Sequence, residues 1–267
     1  MRAVRLHDDG LRIEQIAIPE LGPGEALVQV HAAAITRDEL TWPVERLPAI
    51  PSYELSGVVV EVAPDVREVA SGDEVFALTP FDRDGAAAEY AAVPAALLAP
   101  KPGTLTHEES AALPLAGLSA YQGLFIHGGL REGERLRVLG PTGGVGHIAV
   151  QLARGQLAVA DEPCDLLFDT VGGDVLARSL ADARRVVSVV EEAEGATYFV
   201  VEANREQLVE LARRADAGEL QPAIDSVFPL KQAESAFARV GERGKRGKVV
   251  LRVAEDERLR PPSADDA

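Results

Sequence analysis

Cysteine, methionine and tryptophan each occur once in the 267 residues, and aromatic residues make up only 4% of the chain. A single cysteine, Cys164, allows no disulfide within the chain and no four-thiolate zinc site. We expect Cys164 to be a small buried residue beside a strand, which is the usual environment of a free cysteine. An intramolecular disulfide and a four-thiolate structural zinc are therefore excluded as sources of stability.

Lysine is also scarce. Four of the 27 basic residues are lysines, and 43 acidic residues give a net charge of −16. An acidic surface repels the phosphates of nucleic acids and the anionic headgroups of lipids. We therefore expect neither nucleic acid nor a membrane surface among the partners of this protein.

Long apolar runs are missing as well. No stretch reaches the roughly 18 apolar residues that a membrane-spanning helix needs, and the first ten residues lack the apolar region of a secretory signal. These absences predict a cytoplasmic protein. Residues 254–267 are charged and contain proline, a composition typical of a disordered tail.

Two kinds of pattern divide the rest of the chain. Residues 1–100 contain short β-branched runs bounded by proline and glycine, such as residues 26–32 and 55–62, which indicate a β-barrel or sandwich. Thr106 and Glu109 form a capping box that predicts the start of a helix. Beyond it, strand and helix patterns alternate, as in a parallel sheet with helices on its faces. The predicted fold class is therefore α/β with an N-terminal β domain.

A glycine-rich turn carries the clearest sign of chemistry. Residues 140–146 read Gly-Pro-Thr-Gly-Gly-Val-Gly and lie between a predicted strand at 135–139 and a predicted helix at 144–154. Glycine lets the backbone approach a phosphate closely, and the free N–H groups at a helix start attract an anion. The pattern predicts a pyrophosphate site; the alternative is a tight turn without a ligand.

Seven segments, spread in order along the chain, carry a resemblance to one family. They are residues 51–58, 72–77, 85–90, 111–121, 140–153, 168–173 and 246–251. Through them the sequence resembles the zinc-free quinone oxidoreductase (zeta-crystallin-like) branch of the medium-chain dehydrogenase/reductase superfamily. The resemblance implies a GroES-like β-barrel substrate domain at 1–112 and 228–253. It implies a Rossmann-like domain with a parallel sheet, inserted at 113–227.

The function implied by the resemblance is the NADPH-dependent reduction of an electron-poor C=C bond or quinone in a small organic substrate. The family binds its cofactor at positions that correspond here to Ser119, Gly140, Thr142, Gly143, Gly144, Val145, Gly146 and Phe199. The resemblance also implies a homodimer that pairs through edge strands near 197–201.

The same resemblance places Tyr53 and Thr36 in the substrate cleft, where their hydroxyls would orient a carbonyl. A packed tyrosine and a turn threonine are the alternatives. Asp38 and its neighbour Glu39 would supply acid–base chemistry if a cleft raised their pKa; otherwise they are solvated loop carboxylates. Zinc-dependent relatives carry cysteine and Gly-His-Glu at the metal, whereas this chain has Ser52-Tyr53-Glu54. We therefore expect no metal.

The chain departs from the family between the glycine turn and residue 165. Gln156–Ala160 is a candidate second strand, and Asp161 stands near the spacing of a ribose-binding acid. Parallel neighbours, however, need a crossover of about a dozen residues, and only four residues, 161–164, follow. We interpret 156–160 as a loop; the alternative is an antiparallel hairpin. The nucleotide-binding domain is then predicted to be truncated on its adenosine side.

Three functions follow from these observations. The first is the NADP-dependent reductase that the resemblance implies. The second is a non-redox lyase, isomerase or cyclase on the same scaffold, with the cofactor lost because the adenosine-binding flank is deleted. The third is a non-catalytic binding subunit. The retained glycine turn favours the first, and the short connection after it favours the second.

Overall fold

The computed structural model describes residues 1–42, 47–154, 163–242 and 244–254. The strands in these ranges are β1 (Arg2–His7), β2 (Gly10–Gln15), β3 (Glu25–Ile35), β4 (Glu54–Val62), β5 (Glu74–Leu78), β6 (Tyr90–Pro94), β7 (Ala99–Pro100), β8 (Leu136–Leu139), β9 (Cys164–Asp169), β10 (Ala183–Ser188), β11 (Thr197–Tyr198), β12 (Ile224–Pro229) and β13 (Lys248–Arg252). The α-helices are α1 (His107–Ala111), α2 (Pro114–Tyr121), α3 (Gly146–Ala153), α4 (Gly173–Ser179), α5 (Arg205–Asp216) and α6 (Ala233–Gly241).

The first domain is built on a seven-stranded sheet with the order β12-β13-β3-β4-β5-β7, in which β6 also pairs with β3. The long strand β3 pairs antiparallel with β4, β6 and β13, so it organises the whole sheet. Its run of small residues, Ala32 to Ala34, is fully buried, and α1 packs against this part of the strand. The alanines let the helix lie close to the sheet.

The second domain is a parallel sheet with the order β11-β10-β9-β8. The central strand β9 is almost wholly buried because helices cover both faces of a parallel sheet. Helix α3 connects β8 to β9, which pair directly in parallel from Leu136↔Leu166 to Leu139↔Asp169. Within the described ranges, β8 therefore has a neighbour on one side only.

The two domains and the α/β class agree with the sequence prediction, with differences at several boundaries. Strand β12 belongs to the barrel sheet, so the chain re-enters that domain at residue 224 rather than 228. Helix α2 ends at Tyr121 and the chain continues as a π-helix over Gln122–His127. The hairpin of β1 and β2 is an addition to the sequence prediction: its second strand alternates apolar and charged residues over only four positions, Leu11 to Glu14, and is mostly exposed.

Several predictions fall on residues that the structure leaves undescribed. The segment Gln156–Ala160, the candidate acid Asp161 and the tail from residue 255 onward lie outside the described ranges. No helix in the described part of the chain is long and apolar enough to cross a membrane. The single cysteine, Cys164, is buried at the start of β9, in agreement with its predicted environment.

We expect Gly123→Ala to destabilise the protein by about 1–3 kcal/mol, the usual cost of overpacking a core. A Cβ at position 123 would overlap the ring of Phe168, which is fully buried and has no room to move. Gly241→Ala is the matched control, because a Cβ there meets nothing within 4 Å. Urea denaturation of both variants measures the difference; equal stabilities would show that the core around Phe168 is looser than described here.

Candidate active site between the two domains

A buried ion pair lies where the two domains meet. The ammonium of Lys248, at the start of β13, contacts a carboxylate oxygen of Glu54, at the start of β4, and donates to Thr36 Oγ1 at 2.8 Å. The Leu115 N–H donates to the other Glu54 oxygen at 2.8 Å. This N–H belongs to the first turn of α2, where backbone donors have no partner within the helix. The pair therefore joins both domains.

The glycine turn at 140–146 lies directly beside Lys248. A Cβ on Gly144 would come within 3.0 Å of Lys248 Cδ, and a Cβ on Gly146 would overlap the Gly140 carbonyl. Only glycine fits at position 146, and a side chain at position 144 would have to displace Lys248. Within the described part of the chain, the N–H groups of Gly144 and Val145 donate to no other residue. The start of α3 therefore presents two free donors, as an anion site requires.

Two hydrogen-bond contacts connect this turn to the residues that directly precede the barrel strands β12 and β13. The Gly247 N–H donates to the Thr142 carbonyl at 3.0 Å. The Ala223 N–H donates to His147 Nε2 at 2.9 Å, so the ring proton is on Nδ1, which donates to the Gly143 carbonyl at 2.8 Å. Burial lowers the pKa of His147, which keeps the imidazole neutral. His147 is thus part of the scaffold of the turn.

The buried acid of the cleft is Glu39, not Asp38. Asp38 has a φ of 64° and is exposed, as the solvated loop carboxylate of the alternative interpretation would be, so its acid–base role stays a prediction. Its left-handed conformation turns the chain and brings the next side chain inward. Glu39 is 4% exposed and accepts from the N–H groups of Thr36 at 2.8 Å and Ser52 at 3.0 Å. Burial raises the pKa of Glu39 to about 8, against the opposing effect of Lys248.

Three aromatic rings form an apolar wall beside these groups. The ring of Tyr53 lies 5.9 Å from that of Trp42 and 5.2 Å from that of Phe81. No described residue forms a hydrogen bond with the Tyr53 hydroxyl. Burial raises the pKa of this phenol, and the carboxyls of Glu39 and Asp84 raise it further. Tyr53 therefore keeps its proton and can donate it to a bound ligand.

The remaining predicted cofactor residues are Ser119, Phe199 and Thr142. Ser119 is buried in α2, and Phe199 is buried after β11, where it stacks on His127 at 4.2 Å. In the described ranges, neither forms a hydrogen bond with the glycine turn, so their cofactor roles stay predictions. Thr142 is exposed at the tip of the turn. The described residues contain no group of three or more His, Cys, Asp or Glu that could hold a metal ion.

Sequence reasoning assigned no role to Lys248 or Glu54, although both stand in segments that carry the resemblance. A signal was present. Each is a charged residue that begins an apolar strand, Lys248 before Val-Val-Leu and Glu54 before Leu-Ser-Gly-Val-Val-Val. Charged residues are rarely buried without a partner. Two such positions of opposite charge predict a pair, but which of the many charges in the chain are buried depends on the tertiary fold.

We expect the buried Glu39 to make a contribution to folding stability that is lost as the pH rises between about 4.5 and 8. The raised pKa of Glu39 means that the folded state binds a proton in this range that the unfolded state releases. The contribution of Glu39 to the free energy of unfolding falls by up to about 1.4 kcal/mol per pH unit. The Glu39→Gln variant removes this dependence on pH, and the control variant Asp38→Asn keeps it. Urea unfolding at pH 5–8 measures these slopes. A wild-type slope equal to that of Glu39→Gln would contradict a buried, protonated Glu39.

Known families match both domains. Residues 22–103 match the alcohol dehydrogenase GroES-like domain, and residues 144–251 match the zinc-binding dehydrogenase domain. The 2-methylene-furan-3-one reductase of Solanum lycopersicum is 30% identical, over 91% of this chain and 76% of that protein. The alcohol dehydrogenase of Geobacillus stearothermophilus is 27% identical, over 92% of this chain and 96% of that protein. The second alignment runs over 331 residues, more than the 267 of this chain, so the relative contains segments without a counterpart here.

Solved structures agree with the fold. The quinone oxidoreductase of Coxiella burnetii superposes with a TM-score of 0.87 at 25% identity, over 95% of this chain and 99% of that chain. An alcohol dehydrogenase superfamily protein from Novosphingobium aromaticivorans gives a TM-score of 0.83 at 28% identity, over 95% and 100% of the two chains. With both domain matches and a relative at 30% identity, this chain belongs to the medium-chain dehydrogenase/reductase superfamily.

Proposed function

We propose that this protein is an oxidoreductase that uses a nicotinamide cofactor, NADPH by its relatives, to reduce an electron-poor C=C bond or quinone in a small organic substrate. The observation that carries the proposal is the glycine turn, which presents the free N–H groups of Gly144 and Val145 beside Lys248. Relatives include a 2-methylene-furan-3-one reductase and an NADPH-dependent alkenal/one oxidoreductase of Arabidopsis thaliana.

The residues present fit one half of such a cofactor better than the other. The turn at 140–146 fits a phosphate, because its glycines leave room for the phosphate and the N–H groups of Gly144 and Val145 lie at the start of a helix. The adenosine half normally lies along the strand next to the one that precedes the turn. In this protein the strand that precedes the turn is β8. Within the described ranges β8 is the last strand of the sheet, so no neighbouring strand lies on its adenosine side.

The cofactor, when bound, supplies a hydride, and the protein's own residues prepare the acceptor. The Tyr53 hydroxyl, which keeps its proton, would donate to the carbonyl or quinone oxygen and stabilise the negative charge that develops there. Trp42 and Phe81 provide an apolar wall that excludes water from the acceptor. Glu39 acts through its hydrogen bonds to the N–H groups of Thr36 and Ser52, so it is a positioning residue.

We propose that catalysis is zinc-independent. At Ser52-Tyr53-Glu54 the chain carries no cysteine or histidine in the place where zinc-dependent relatives have metal ligands. The Ser52 hydroxyl donates to the Ala34 carbonyl at 2.8 Å and is buried, so it serves the fold. Polarising the acceptor then falls to Tyr53.

We also propose a homodimer that pairs through β11. Within the described ranges this strand is at the edge of the parallel sheet. Tyr198 in the strand and Val200 just after it are exposed apolar residues. Exposed sheet edges of this kind pair readily with a second copy. A cytoplasmic location stays a prediction, since the relatives include proteins named as chloroplastic and mitochondrial.

A non-redox lyase, isomerase or cyclase on the same scaffold is a second candidate. The position of β8 at the end of the described sheet favours it. A site without a neighbouring strand to contact the adenosine binds a dinucleotide weakly. Titration of NADPH and NADH by calorimetry or nicotinamide fluorescence decides between the candidates. Micromolar binding of either cofactor would contradict the non-redox function, and no binding at millimolar concentration would contradict the reductase.

We expect Tyr53→Phe to lower kcat by about 10²–10³, the effect of losing one donor to a developing oxyanion, while the Kd of NADPH stays unchanged. The matched control is Tyr198→Phe, which removes a hydroxyl from an exposed tyrosine at the sheet edge. Steady-state kinetics with an α,β-unsaturated ketone or a quinone measures the effect. Full activity in Tyr53→Phe would remove this residue from the chemistry.

We expect Gly143→Asp to weaken NADPH binding about 10- to 100-fold, because it sets a carboxylate beside the phosphate position. A Cβ at 143 comes no closer than 3.4 Å to its nearest neighbour, so the turn accepts a side chain with little strain. Gly143→Asn has the same size without the charge and should bind clearly more tightly than Gly143→Asp. Calorimetry measures both; equal affinities would show that no anion binds at this turn.

A further inference from the structure

In the described part of the chain, the parallel sheet continues past the glycine turn on one side and ends at β8 on the other. Strand β8 leads into the turn and pairs with β9, which pairs with β10, which pairs with β11. On the opposite side of β8 the described residues supply no strand. Dinucleotides bind across the point where the strand order reverses in such sheets, and in the described ranges this sheet has no reversal.

The chain length explains the short side, independently of how the undescribed residues are arranged. Helix α3 ends at Ala153 and β9 begins at Cys164, which leaves residues 154–163 between them. The crossover between two parallel neighbours alone needs about a dozen residues, and a whole βαβ unit needs about 30. Because only ten are present, no further strand–helix unit fits between α3 and β9.

The opposite half of the site is retained. The glycine turn has its two free N–H groups at Gly144 and Val145, and its shape is fixed by the hydrogen bonds of Thr142 with Gly247 and of His147 with Gly143. Strands β9, β10 and β11 follow in order, with exposed Val171 and Val190 just beyond the ends of β9 and β10. A phosphate and a flat apolar ring therefore have partners, whereas the described residues offer an adenosine no second strand.

We infer that this site recognises a nicotinamide nucleotide through its phosphate and nicotinamide only, and that adenosine adds little to binding. The inference rests on the proposed function and deepens it. Reduced nicotinamide mononucleotide then binds about as tightly as NADPH, and NADH binds about as tightly as both. Among the residues that the structure describes, the adenosine 2′-phosphate has no basic partner from a second strand, so we expect the site not to distinguish NADPH from NADH.

The size of the expected effect follows from what the adenosine side contributes in a complete site. Two charge-assisted contacts to the ribose and its phosphate, at about 1.5–3 kcal/mol each, correspond to 10²- to 10⁴-fold in affinity. A complete site therefore binds NADPH at least 10²-fold more tightly than the mononucleotide. Without these contacts the ratio is near one.

The test is isothermal titration of the wild-type protein with NADPH, NADH and reduced nicotinamide mononucleotide, with 2′,5′-ADP as a probe of the adenosine half alone. We expect the three reduced nucleotides to bind within about tenfold of one another and 2′,5′-ADP not to bind. NADPH binding more than about tenfold tighter than the mononucleotide, or measurable binding of 2′,5′-ADP, overturns the inference and leaves the proposed function standing.

If none of the reduced nucleotides binds at millimolar concentration, the proposed function fails and the inference fails with it. Gly143→Asp serves as the control for the binding position. It should weaken binding of all three nucleotides by the same factor, since their phosphate is shared. Weakening of NADPH alone would show that the mononucleotide binds elsewhere, which overturns the inference as well.

Discussion

The ion pair between Lys248 and Glu54 is the interaction on which the rest of the site depends. Both side chains are almost completely buried, and their partners complete the network, with Thr36 on the lysine and the Leu115 N–H on the glutamate. Removing one member of such a pair costs about 3–5 kcal/mol, because the other is left as an unpaired buried charge. The barrel strands β4 and β13 and the first helix of the second domain are therefore held in one fixed arrangement.

This arrangement decides the position of the glycine turn. Gly247, next to Lys248, bonds to Thr142, and His147 connects Gly143 to Ala223. The turn is thus held by the residues that precede β12 and β13, which are strands of the barrel sheet. The donors of an anion site work only when they are fixed in advance, and here the barrel domain fixes them. Each domain alone would have only part of the site.

The sequence predicts the parts of this protein that depend on local patterns. The β-branched runs predict the barrel strands, and the glycine turn between strand and helix predicts the anion site, because each pattern depends only on residues that are neighbours in the sequence. The choice between Asp38 and Glu39 is different, since it depends on a left-handed backbone at Asp38 that the pattern does not reveal. The pair of Lys248 and Glu54 joins residues 194 positions apart, so only the tertiary structure identifies it. The β1–β2 hairpin escapes prediction because its second strand is exposed.

The place of β13 in the barrel sheet also sets an order of events during synthesis. This strand lies between β12 and β3, yet its Lys248 bonds to Thr36, directly after β3 and 212 positions earlier. A ribosome adds about 5–20 residues per second, so β3 is made roughly 10–40 s before this neighbour. Glu54 likewise meets its lysine only then. The barrel sheet, although it begins in the first hundred residues, is completed only after strands β8 to β11 of the parallel sheet have been made.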